Sequence, residues 1–212
     1  MSSKFLKSIE RGLKVAIFSD DDLMLLFDDV KPSAIYNSLS YHLKQKHLER
    51  YRRGLYSLNN GRKTFSKFYL ANKLVLHSYI SFESALSHHG LIPETVYETT
   101  SATFTKNKVF ENSLGRFSFA YSPVDPFYLG IEKDEVTNSK IANPLRALFD
   151  LVNTRRKMYE RVEDLESDLR VDLFEFEKYL TEFDANEILE LGELYKKKTT
   201  RKLAEIIVRG LK

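Results

Sequence analysis

An α+β fold, opening with a small helical module and closing with a helical portion, is predicted by three features of this 212-residue chain. Apolar residues at helix spacing, Ile35, Leu39 and Leu43, are followed at once by a hairpin pattern from Leu48 to Leu58. A middle stretch then alternates side-chain character, as in Phe117-Ser118-Phe119-Ala120-Tyr121. From Ala142 onward the apolar period is that of helices.

The first helix is expected over Lys4 to Phe18, with Phe5, Ile9, Leu13 and Ala16 or Ile17 inward. Ser19 or Asp20 can cap a second helix, Asp21 to Phe27, whose aspartates suit the positive end of its dipole. Three adjacent aspartates could instead suggest a metal site, but capping is favoured because no other cluster of carboxylates is at hand to complete the coordination. Asp28-Asp29-Val30-Lys31-Pro32 turns the chain, and Ser33 is a good N-cap for a third helix, Ala34 to Lys46. Ser33, Asn37, Ser40, Tyr41 and Lys44 then share the face opposite Ile35, Leu39 and Leu43. They are hydrogen-bonding or cationic, the chemistry that a helix in a DNA major groove needs. Arg53-Gly54 turns the following ribbon, which carries Arg50, Arg52 and Arg53 near its tip. Three helices and a basic two-stranded ribbon describe a winged helix-turn-helix over residues 1–63.

Charge supports that reading. The net charge is only +3, but residues 1–63 hold 12 Lys or Arg against 7 acids, whereas the remainder is close to balance. Within Lys31–Lys63 eight bases face a single acid, Glu49. Such a patch attracts phosphate backbones through counterion release. The bland alternative is a solvated basic surface.

Asn59 to Lys63 reads as a short linker into a mixed α/β region, 64–152. Its expected elements are a helix from Thr64 to Leu74, an extended Ser78-Tyr79-Ile80, and a helix Phe82–His89 stopped by Gly90. Strands are expected at Val96–Phe104, Lys108–Phe110, Arg116–Tyr121 and Tyr128–Ile131. A helical portion of the same domain, 153–212, follows a helix begun by Pro144 with Leu145, Leu148, Phe149 and Val152 inward. Its helices are expected at Val162–Arg170, Leu173–Phe183, Ala185–Lys198 and Thr200–Leu211, with Asp184 and Thr200 as caps. Lys196, Lys197, Lys198 and Arg201 form a second basic cluster, a candidate contact for nucleic acid or a partner and otherwise a solvated helix end.

Catalytic signals are sparse. The chain has no cysteine, which removes disulfides, thiolate nucleophiles and cysteine-based zinc sites. His42 and His47 lie five apart, a poor spacing for one ion, and the adjacent His88 and His89 point to different sides of a helix. No phosphate loop, dinucleotide fingerprint or nucleophile elbow is present. No cofactor and no enzymatic activity are expected, although Glu83, Glu94 and Glu98 leave a carboxylate nuclease as a third possibility. No membrane-length apolar run occurs and Met1–Lys7 lacks a signal-peptide core, so a cytoplasmic protein is expected.

Tyr79-Ile80-Ser81-Phe82-Glu83-Ser84-Ala85-Leu86-Ser87-His88-His89-Gly90-Leu91-Ile92-Pro93 resembles the signature segment of AbiEi-type antitoxins. These are the repressor halves of AbiE toxin–antitoxin and abortive-infection modules. Val96-Tyr97, Thr99–Thr103, Phe110–Tyr121 and Ala142-Asn143-Pro144-Leu145-Arg146-Ala147-Leu148-Phe149-Asp150 follow in that family's order. Leu145-Arg146 stands where the family usually has an acidic–basic pair. The resemblance spans roughly residues 15–152. It implies a winged helix that binds inverted repeats of double-stranded operator DNA in its own promoter. It also implies antagonism of a companion nucleotidyltransferase-like toxin, generally without a stable complex, with direct contact left open for some members. The competing reading is a protein-interaction module that lacks sequence-specific DNA binding.

Overall fold

The structure, a computed structural model, describes residues 2–59, 61, 65–93 and 97–210. Asn60, Arg62, Lys63, Thr64, Glu94, Val96 and Leu211, which figure in the expectations above, lie outside the described residues. Among the described residues the chain folds as α+β, with two sheets and with helices toward both ends.

The amino-terminal unit runs α1 (Ser2–Gly12), β1 (Ile17–Ser19), α2 (Asp20–Leu26), α3 (Pro32–Lys44), β2 (Leu48–Arg52) and β3 (Leu55–Leu58). The first helix is shorter than its period suggested. Ile17 and Phe18, expected on it, belong to a strand that completes an antiparallel sheet of order β1-β3-β2. Gly12 ends α1, where an added Cβ would collide with the Leu26 side chain. Ser19 caps α2 in a reciprocal box, its hydroxyl accepting from Asp22 N while Asp22 Oδ2 accepts from Ser19 N. Ser33 does not cap α3. Pro32, with φ preset for a helix, occupies its first turn, and Lys31 precedes it without a side-chain cap bond.

This small sheet is buried on both faces. Phe18, Leu48 and Tyr56 join Ile9, Leu23, Ile35 and Leu39 in a core beneath the helices. Ile17, Tyr51 and Leu55 point the other way, into the large core of the rest of the chain. Strand alternation produces both contacts, because successive side chains leave opposite faces.

The larger unit holds α4 (Lys67–Leu74), β4 (Ser78–Ile80), α5 (Phe82–His88), β5 (Glu98–Thr103), β6 (Lys108–Asn112), β7 (Gly115–Tyr121), β8 (Ile131–Asp134) and β9 (Ser139–Ala142). The six strands form one sheet of order β6-β7-β5-β4-β9-β8, parallel at β4/β9 and β5/β7 and antiparallel elsewhere. β9 was not expected. Ala142, read as a helix start, ends this strand, and Asn143 caps α6 (Pro144–Arg155) by accepting from Arg146 N. Then come α7 (Glu163–Leu169), α8 (Leu173–Leu180), α9 (Ala185–Leu194) and α10 (Lys198–Gly210). Asp184 caps α9 as expected. Thr200 does not cap α10; it lies buried within its first turn and donates to Gly192 O, tying the last two helices together. Among the described residues no helix is long and apolar enough to cross a membrane.

Buried tyrosines give the fold an alkaline limit. Burial pushes Tyr79 and Tyr195 well above the ordinary phenol value, and the neighbouring Asp150 carboxylate adds to it. Their raised folded-state values mean that their contribution is intact below pH ~10, where unfolded tyrosine titrates, and is lost as pH rises beyond it. Each should cost about 1.4 kcal/mol of stability by pH 11. Urea midpoints at pH 9 and 11, with phenolate absorbance followed in parallel, check this. Ionisation of all 12 tyrosines near pH 10 in a chain that stays folded would refute it.

Candidate nucleic-acid interface

Ser33, Asn37, Ser40, Tyr41 and Lys44 are all exposed on α3, and Tyr41 retains 51% of its surface. Ile35, Leu39 and His42 hold the opposite face in the core. Spacings of three and four place the five exposed residues on one side of the helix. Tyr36, which the sequence reading did not select, stands exposed beside them.

The ribbon divides its arginines. Arg50 and Arg53 are exposed, and Gly54 (φ 75°) makes the turn next to Arg53. Arg52 departs from expectation: it is half-buried, with Nε donating to Leu74 O at 3.0 Å and Nη1 to Arg53 O at 2.8 Å. Leu74 closes α4, so its carbonyl lacks a helical partner, and the guanidinium supplies both a donor and favourable charge there. A shift in register between Arg50 and Arg52 redirects the side chains at this point. Arg52→Ala should therefore lower stability by about 1–2 kcal/mol. Urea denaturation of the variant checks this.

The ribbon's inner face is docked on the larger unit. Tyr51 is 5% exposed, its hydroxyl 2.9 Å from Ser57 Oγ and its ring edge-on to Phe65 at 5.7 Å. Burial, with Glu49 nearby, pushes its phenol up to about 12. Glu49 also meets Ser113 in the β6–β7 turn. Residues of that turn line a polar cleft of about 650 Å³ together with Tyr36 and Ser40 of α3 and Arg50 and Arg53 of the ribbon. Asp20 Oδ1 and Asn112 Nδ2 are buried in residues lining the cleft and have no protein partner. No sequence pattern announced that the β6–β7 turn would border this surface; the contact is long-range.

The second basic cluster is dispersed. Lys196 and Lys198 are exposed, but Lys197 Nζ donates to Asn153 O at 3.1 Å, and burial together with Arg156 holds its ammonium below the ordinary lysine value. Arg201 pairs with Glu193 at 2.7 Å. The carboxylates considered for a nuclease do not converge. Glu83 pairs with Arg155 at 3.2 Å, Glu98 pairs with Arg116 at 3.0 Å, and Glu94 is outside the described residues. Among the described residues no group of three or more His, Asp or Glu is placed to hold a metal.

The two segments that carry the family resemblance meet in a buried polar network. Asp150 Oδ2 accepts from Tyr79 Oη at 2.9 Å and Ser81 Oγ at 2.8 Å, and Oδ1 accepts from Ser122 Oγ at 2.9 Å and Tyr195 Oη at 2.7 Å. Arg146 Nη2 donates to Tyr79 Oη at 2.6 Å and Ser122 Oγ at 3.1 Å, Nη1 to Leu129 O at 3.1 Å, and Nε to Asp150 at 3.4 Å. Burial works against the Arg146 charge, but Asp150 and the two phenols more than offset it and hold the guanidinium protonated. All six side chains are at most 2% exposed, so this network braces the core of the fold.

No protein-family model matches the chain, and comparison with curated proteins finds no match.

Proposed function

We propose that the protein is a DNA-binding antitoxin and transcriptional autorepressor of a toxin–antitoxin operon, its amino-terminal unit a winged helix-turn-helix with α3 in the major groove. The observation that carries this reading is the exposed, hydrogen-bonding face of α3, whose Ser40 lines one cleft with the exposed Arg50 and Arg53. The order of helices and strands from α1 to β3 supports it. In this reading Asn37 and Ser40 reach base edges, Lys44, Arg50 and Arg53 bind phosphates, and Ser33 and Tyr41 position the helix. Arg52 has no DNA role. The larger unit antagonises a nucleotidyltransferase-like toxin, a role supported by the resemblance of Tyr79–Pro93 and Ala142–Asp150.

Footprinting on the DNA immediately upstream of the gene tests the proposal. Protection of an inverted repeat, lost in Asn37→Ala with Lys44→Ala, is expected. Uniform or absent protection would instead favour the protein-interaction module.

A further inference from the structure

The junction between α3 and the ribbon holds a side-chain pair that DNA contact does not use. α3 ends in a reversing turn: Lys46 adopts φ 57°, Lys46 N donates to Leu43 O at 3.0 Å, and His47 N donates to His42 O at 3.0 Å. This bonding pattern packs the residue just beyond the turn against one in the last helical turn, a contact that is usually apolar. Here both are histidines, so a sequence spacing that is unsuitable on a straight helix becomes a close approach. The two Nδ1 atoms stand 3.2 Å apart. His42 is 1% exposed, its ring stacked on Phe5 at 5.5 Å and 1°, which fixes its orientation. His47 is exposed, so the pair is reachable from solvent.

We propose that His42 and His47 chelate a divalent transition ion of the Zn²⁺, Ni²⁺ or Cu²⁺ class through their Nδ1 atoms. The ion would pin the end of α3 to the start of β2, with water completing its coordination. Two nitrogens each about 2.0–2.1 Å from a tetrahedral ion stand roughly 3.3 Å apart, close to the observed separation. Imidazole nitrogen is a favoured donor for these metals. In the neutral pair one Nδ1 carries the shared proton. When the ion takes its place, that ring's proton moves from Nδ1 to Nε2 by exchange with solvent, so both histidines bind as neutral ligands and no net proton is lost. The carbonyls at the carboxyl end of α3 favour a cation, while Lys44 and Lys46 are exposed and solvent-screened. Ion occupancy would also fix the angle between α3 and the ribbon. Only the effect of that angle on DNA contact rests on the DNA-binding reading; the metal site does not.

The test is calorimetric titration of the full-length protein with Zn²⁺, together with the electron paramagnetic spectrum of the Cu²⁺ form, all without DNA. Wild type should take up one Zn²⁺ at this site, rise in melting temperature on doing so, and show coupling of Cu²⁺ to two nitrogens. His47→Gln, on the exposed side of the pair, should bind at least about tenfold more weakly, since loss of even a supporting group costs that much. His77→Gln and His88→Gln should match wild type. Equal Zn²⁺ affinity in His47→Gln, or no uptake by the folded wild type, would overturn the proposal. Neither result bears on repression, which is read separately by footprinting.

Discussion

Arg146→Met is expected to remove about 3–5 kcal/mol of folding stability, because it leaves the buried Asp150 carboxylate without its countercharge. For a chain of this size the melting temperature should fall by on the order of 10 °C. The residue is 0% exposed and its guanidinium serves Tyr79, Ser122, Leu129 O and Asp150 together. Tyr79 and Ser122 each accept from Arg146 and donate to Asp150, so the hydroxyls relay one charge to the other. A simple buried ion pair can often be replaced by two apolar residues without loss. Here Arg146→Met with Asp150→Leu should remain destabilised, because Tyr79, Ser81, Ser122 and Tyr195 would lose their acceptor inside the core. Thermal and urea denaturation of both variants checks this. A double variant as stable as wild type would show the network to be dispensable.

On the surface proposed to meet DNA the largest effects are expected from two changes with different signatures. Asn37→Ala should cost about 1–3 kcal/mol of discrimination for the cognate operator and leave the salt dependence unchanged, as befits a base contact. Lys44→Ala with Arg53→Ala should weaken binding to every sequence alike and reduce the salt slope by about 1.8, the release expected from two phosphate contacts. All three residues are exposed, so neither variant should lose more than about 0.5 kcal/mol of stability. Competition titrations against cognate and scrambled duplexes at several salt concentrations separate the two signatures. Equal loss on both duplexes in Asn37→Ala would move that residue from base reading to backbone contact.

Much of this architecture is legible in the sequence where local signals are strong. The i, i+4 spacing of Ile35, Leu39 and Leu43 marks α3, Gly54 marks the ribbon turn, and Phe117/Phe119 alternation marks β7. What the sequence hides is tertiary. Ile17 continues a helical period begun at Phe5, yet strand pairing with Ser57 claims it. Arg52 looks like one more cation in a basic run, and only the packing of α4 against the ribbon turns it into a helix cap. α6 reads as amphipathic, but its residues 144–153 are buried all round, so that Arg146 and Asp150, apparently on its wet side, become the centre of the core. His42 and His47 appear incompatible with a common ligand until the left-handed turn at Lys46 folds one over the other. In each case a residue's meaning depends on a partner far away in sequence or on a backbone reversal that no local period encodes.

Fluorescence anisotropy on a labelled upstream duplex at 50 and 200 mM salt tests most directly whether α3 and the ribbon grip duplex DNA. With Lys44, Arg50 and Arg53 each displacing a counterion, one protomer should show a slope of about −2.7 and lose roughly 40-fold in affinity between those two conditions. Affinity that is the same at both salt concentrations, or no binding at 50 mM, would contradict the account.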